Sequence, residues 1–227
     1  MKQNRHKSHI LRYITIAAGL CALAAALGWA LLRHTPRAYR PIEPADPDEV
    51  SPYLTHRLAP DFYNQIQLYE PFELVIEQAG LNDILARGTW PQRYGEVEIF
   101  TPVVQFDNGA IYLMSHVKYS RFSSVLTVVA RPEMDMQGRL NLNIRSVRLG
   151  WVPVTAAARR VAENAMVDVP AELQDGLQLE TMVQAVISNS PFDPALDFDK
   201  QHIRLDDFKI EPGRLRLRLV PERRRQQ

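Results

Sequence analysis

Residues 13–32 form a run of twenty residues without a single charge, rich in Ala and Leu, and no other feature narrows the possible structures as much. A helix of that length measures about 30 Å, the thickness of a bilayer's hydrocarbon core. Arg12 precedes the run and Arg33 and His34 follow it, where basic side chains reach headgroups; Tyr13 and Trp29 lie near the two interfaces. The expectation is a single N-terminal transmembrane helix, with the lipid bilayer as its partner through residues 13–32. Two other fates fit less well. The small-x-small triplet Gly28-Trp29-Ala30 suits a signal-peptide cleavage site, but the apolar run is longer than such peptides use. Acylation of Cys21 would want a small residue before it, where Leu20 stands. The short basic tail 1–12 is expected to stay in the cytoplasm. The rest then lies outside it, as a single-pass protein of the cell membrane.

The formal net charge of +1 conceals a split. Residues 1–40 carry seven Lys or Arg and no acid, whereas residues 41–222 carry 17 basic against 26 acidic residues, a net of −9. Arg223, Arg224 and Arg225 close the chain with a short basic tail. An acidic body without a broad positive face excludes nucleic acid as a partner. Cys21 is the sole cysteine, so there is neither an intrachain disulfide nor a Cys/His metal framework.

Seven of the 16 prolines fall between Pro36 and Pro71, and four acids between Arg40 and Pro52. That composition favours an extended spacer, and residues 36–52 could reach about 50 Å at polyproline rise. Phe62, Tyr63, Ile66 and Leu68 suggest that the second half of the segment packs on the domain. The divisions are thus a tail 1–12, the helix 13–32, a Pro-rich linker and domain approach 33–70, a domain 71–220 and a basic tail 221–227.

Within the domain, alternation marks strands at 72–77, 96–106, 110–119, 124–131 and 139–150. Asn108-Gly109 makes a hairpin turn, Pro102 an edge or bulge, and a slip in the pattern at Ser146 a bulge. On 110–119, Ile111, Leu113 and Val117 face one way, and Tyr112, Met114, His116 and Lys118 the other. Helices are expected at 78–87, at 154–166 with Pro153 in the first turn, and at 179–188. A terminal hairpin joins 203–210 to 214–220 around Pro212-Gly213, with Leu215, Leu217 and Leu219 inward and Arg214, Arg216 and Arg218 outward. Hairpin-linked strands with segregated helices indicate α+β: a curved antiparallel sheet packed on one long and one or two shorter helices.

The order of motifs resembles the YpmS-type family of membrane-anchored bacterial proteins. It runs from Phe72-Glu73-Leu74-Val75-Ile76-Glu77 and Leu81-Asn82-Asp83-Ile84-Leu85, through Pro132-x-x-Asp135-x-x-Gly138-Arg139-Leu140 and Val147-Arg148-Leu149-Gly150-Trp151-Val152-Pro153, to Phe208-Lys209-Ile210-Glu211-Pro212-Gly213-Arg214-Leu215. More distantly it is similar to YceB-like lipoproteins and the tubular lipid-binding fold. Glu77 stands where the family more often has a Ser/Thr helix cap. The resemblance spans residues 70–220 and implies an architecture and an apolar ligand; it carries no catalytic residues.

Chemistry is harder to find. There is no Gly-x-Ser-x-Gly elbow, phosphate loop or dinucleotide fingerprint, and His56, His116 and His202 are far apart. His116, beside Lys118, reads as solvent-facing. Asp193, Asp197 and Asp199, with Asp206 and Asp207, are rich in oxygen, but a calcium loop starting at Asp197 would place His202 at its glycine and Phe208 at its closing acid. Phe100, Phe106, Tyr112 and Trp151 fall at core spacing. No enzyme activity, metal or cofactor is expected. The expected function is binding of a lipid or other apolar ligand in a groove lined by Ile111, Leu113, Leu140, Leu142, Ile144, Ala158, Val161, Ala162, Leu215 and Leu217. Arg216, Arg218, Arg223 and Arg224 would meet headgroups. The other reading is a membrane-anchored interaction or scaffold domain with a fully packed core.

Overall fold

The computed structural model describes residues 3–158, 160, 185, 188–198 and 201–222, with side chains from residue 18 onwards. The chain opens with α1 (Gln3–Leu32). A π turn, Leu54–Leu58, then runs into α2 (Ala59–Ile66), followed by β1 (Phe72–Glu77) and α3 (Gln78–Ala86). Next come β2 (Gln92–Tyr94), β3 (Val97–Ile99), β4 (Val103–Asp107), β5 (Ala110–Tyr119) and β6 (Phe122–Ala130). They are followed by β7 (Glu133–Met134), β8 (Leu140–Asn141), β9 (Ile144–Leu149) and β10 (Val152–Pro153). The last strands are β11 (Ala195–Phe198), β12 (Gln201–Glu211) and β13 (Arg214–Glu222).

The described strands divide into separate antiparallel sheets instead of the one curved sheet expected. The order β1-β13-β12-β11 makes the first. The second is β10-β9-β6-β5-β3-β2, with β4 beside β3 along the same edge of β5, and β7-β8 stand apart. The division follows from the partner of the terminal hairpin: β13 pairs with β1 over six residues, Phe72↔Leu219 to Glu77↔Arg214. Three hydrogen bonds stitch the sheets together. Gln78 N–H donates to Gly213 O, Gly213 N–H to Phe106 O, and Phe106 N–H to the Gln78 side-chain oxygen. Around that seam Val104, Phe106 and Ile210 are buried, with Leu81, Leu85 and Phe208 packed against them.

A second correction concerns α1. Among the described residues no helix is long and apolar enough to cross a membrane, so the expected transmembrane helix does not stand. The final turn of α1 is instead spent on contacts with the second sheet.

The Pro-rich segment packs on the domain instead of spacing it. Tyr39 joins the cluster of Val103, Met114 and Val125 and donates its hydroxyl to Thr101 O at 3.1 Å. Arg87 grips the carbonyls of Asp46 and Glu49 at 2.7 and 2.8 Å, and buried Ser51 hydrogen-bonds Asp83. Ile66 of α2 buries against Phe72 and Ile203.

Other differences are local. The expected strand 96–106 is broken at Thr101-Pro102, because proline cannot donate to the ladder of β5. Met114, expected to face outward, is 2% exposed because Tyr39 covers that face, while Leu113 is 43% exposed. Pro153 pairs with Arg148 as a strand residue, and the helix begins after it, at Thr155. The register between β6 and β9 shifts where Val129 meets Ser146 and Ala130 meets Ile144, leaving Arg145 as the extra residue of a bulge. Of the helices expected at 154–166 and 179–188, all but residues 154–158, 160, 185 and 188 lie outside the described residues.

Candidate functional site

The last carbonyls of an α-helix lack intrahelical partners. At the end of α1 the domain supplies them: Trp151 N–H donates to Leu31 O at 3.0 Å, and the Ser124 hydroxyl to Leu32 O at 2.5 Å. Gly150, at φ +57, permits that approach; a Cβ there would lie 2.4 Å from Leu31 O. Rings extend the contact, with Trp29 edge-on to Phe122 at 6.1 Å and His34 against Trp151 at 4.5 Å. The Arg33 guanidinium sits 5.3 Å from the Trp29 ring centre. None of this junction was foreseen in the sequence. Trp151, read there as core, is 61% exposed. The available signal was a glycine-tryptophan pair between two strands, which resembles any turn.

Above this mount, every described side chain from residue 18 to residue 27 is exposed and uncharged, among them Leu20, Leu23 and Leu27. A helix apolar all round is normally buried in protein or lipid.

The residues expected to line an apolar groove are dispersed. Ile111 and Leu215 pack into the seam between the sheets, and Leu217 lies half-buried next to it in β13. Leu113 is on the second sheet, opposite Val104 and Val128. Leu140, Leu142 and Ile144 are half-buried near β8 and β9, and Ala158 is half-buried in the helical turn beyond β10. Val161 and Ala162 lie outside the described residues.

The arginine face is an ion-pair lattice. Arg216 reaches Glu73 at 2.7 Å and Glu211 at 3.2 Å, Arg214 meets Glu211 at 2.9 Å, and Arg218 meets Asp206 at 3.2 Å. Arg223 and Arg224 lie outside the described residues. Lys209 and Arg216 together draw the Glu211 carboxyl down to about 2. Because this pKa is depressed on folding, its stabilisation is full above about 4.5 and is lost as pH falls towards 2. Glu211→Gln should therefore flatten the decline of the urea midpoint across that window. Parallel pH profiles for the two proteins would refute the pairing.

His116 is half-buried rather than solvent-facing. Its Nε2 lies 2.6 Å from the Ser123 hydroxyl and its ring 4.9 Å from Phe100, and burial lowers its pKa. Among the described residues no carboxylate orients the ring, as an acid does in a Ser-His-Asp triad. Nearby, a polar cleft of about 380 Å³ is lined by Arg93, Glu96, Glu98 and Lys118. Arg93 and Lys118 both pair with Glu98 and hold its carboxyl below the usual range. Among the described residues no group of three His, Cys, Asp or Glu side chains is placed to hold a metal ion.

No protein-family model matches the chain, and neither a curated protein nor a solved structure matches it.

Proposed function

We propose that this chain is a non-catalytic, membrane-associated protein of the cell envelope, in which α1 seats the α+β domain at a lipid surface for contact with other proteins. One observation carries this reading: an exposed, uncharged stretch of α1, residues 18–27, is joined to the domain by a hydrogen-bonded mount. Exposed leucines at Leu20, Leu23 and Leu27 form a surface that water does not tolerate as a monomer's exterior. The mount limits how the domain can swing, so a fixed face is offered to partners. Dispersal of the groove residues over two sheets favours a packed interaction domain over a carrier of an apolar ligand.

Vesicle flotation tests this. The full chain should float with phosphatidylcholine vesicles. Changing Leu20, Leu23 and Leu27 together to Gln should leave it in the soluble fraction, since each leucine contributes roughly 1.5–3 kcal/mol of transfer free energy. A wild-type chain that stays monomeric and vesicle-free without detergent would remove the proposal.

A further inference from the structure

The end of α1 touches strand β6 at two points. Ser124 holds Leu32, and two residues earlier in β6, Phe122 meets Trp29, three residues earlier in α1. Both steps point the same way, so the β5–β6 hairpin advances towards the N-terminal part of α1. Its tip, Ser120 and Arg121, lies beyond Phe122, and Tyr119 pairs across the hairpin with Phe122. Tyr119 is 52% exposed and Arg121 is exposed. On the other flank stands the exposed Trp151 against His34. Arg33, Arg37 and Arg40, all exposed, follow the helix. Of the nearby acids, Glu98 is neutralised by Arg93 and Lys118, and Glu96 is hydrogen-bonded to Tyr119.

We infer that this collar of Trp29, Arg33, Tyr119, Arg121 and Trp151 is a docking surface for the phosphate headgroups of an anionic bilayer. The inference rests on the proposed lipid contact of α1 and adds what the domain itself touches. Trp and Tyr rings favour the depth where apolar chains give way to headgroups, and arginine forks match phosphate oxygens. Basic residues close to an anionic surface add attraction that salt screens. Two turns about thirty residues apart in sequence are thereby brought to the C-terminal part of α1, which sets the tilt of the domain on the membrane.

The test uses the full chain in a Cys21→Ser background with single environment-sensitive NBD labels at Leu23→Cys, Ser120→Cys or Lys209→Cys. Lys209 is exposed beside Ile210, which packs on Phe106 of β4, next to the end of β5 away from the hairpin tip. In vesicles containing phosphatidylglycerol, the labels at 23 and 120 should shift to the blue and the label at 209 should remain water-like. Adding Arg121→Glu, or omitting phosphatidylglycerol, should abolish most of the shift at 120 while leaving that at 23. A shift at 23 with a water-like 120 overturns the collar and leaves the lipid contact of α1 standing. An equal shift at 120 in phosphatidylcholine alone overturns the anionic preference. A water-like label at 23 removes the lipid contact and the collar together.

Discussion

Gly150→Ala should release α1 from the domain. Two costs combine at this position. Alanine at φ +57 takes a left-handed conformation worth roughly 1–2 kcal/mol. Its Cβ would also lie 2.4 and 2.6 Å from the carbonyl oxygens of Leu31 and Leu32, backbone atoms that cannot swing aside. Relief requires the helix end to withdraw, which breaks the Trp151 N–H bond to Leu31 O and separates Trp29 from Phe122. Hydrogen exchange at the Trp151 amide should accelerate strongly, while amides of the sheet seam, such as Phe106, keep their protection. Gly150→Asn separates the two costs, because asparagine tolerates positive φ yet brings the same Cβ. If the asparagine variant protects Trp151 as the wild type does, steric contact with α1 is not what requires glycine.

Gly80→Ala should destabilise the whole domain. Gly80 lies buried in α3 beneath the Tyr53 ring, and an added Cβ would stand 2.3 Å from the Cδ1 and Cγ atoms of that ring. Overpacking of this kind costs roughly 1–3 kcal/mol. Displacing the ring also costs hydrogen bonds, since the Tyr53 hydroxyl accepts from Glu77 N–H at 2.9 Å and donates to Val75 O at 3.4 Å. Those are backbone groups of β1, an edge strand in its sheet. The thermal midpoint should therefore fall even though alanine is the better helix former. In a Tyr53→Ala background the same Gly80→Ala change should cost little or stabilise. Equal destabilisation in both backgrounds would show that the ring is not the obstacle.

Several elements were legible because their cause is local. Asn108 and Gly109 take positive φ, as a tight hairpin between β4 and β5 requires, and Gly213 does so between β12 and β13. Alternation along β13 separates half-buried Leu215, Leu217 and Leu219 from the arginines of the ion-pair lattice. Asn82, read from its position in a helix, gains its role only from the fold. Its amide donates to Val104 O and accepts from Val104 N–H, taking the place of a neighbouring strand along β4. The faces of β5 were misassigned for a related reason. Alternation separates two faces but does not say which is covered, and Tyr39, 75 residues before Met114, decides it.

The apolar run, the turns and the alternating strands can be read from local sequence, because each depends on neighbours within a few residues. Tertiary structure alone decided that β13 pairs with β1, that the proline-rich segment clasps the sheet and that α1 ends on Gly150 and Ser124. Those contacts join residues far apart in the chain, and they form only because unpaired backbone groups and apolar faces, once brought together, must satisfy one another.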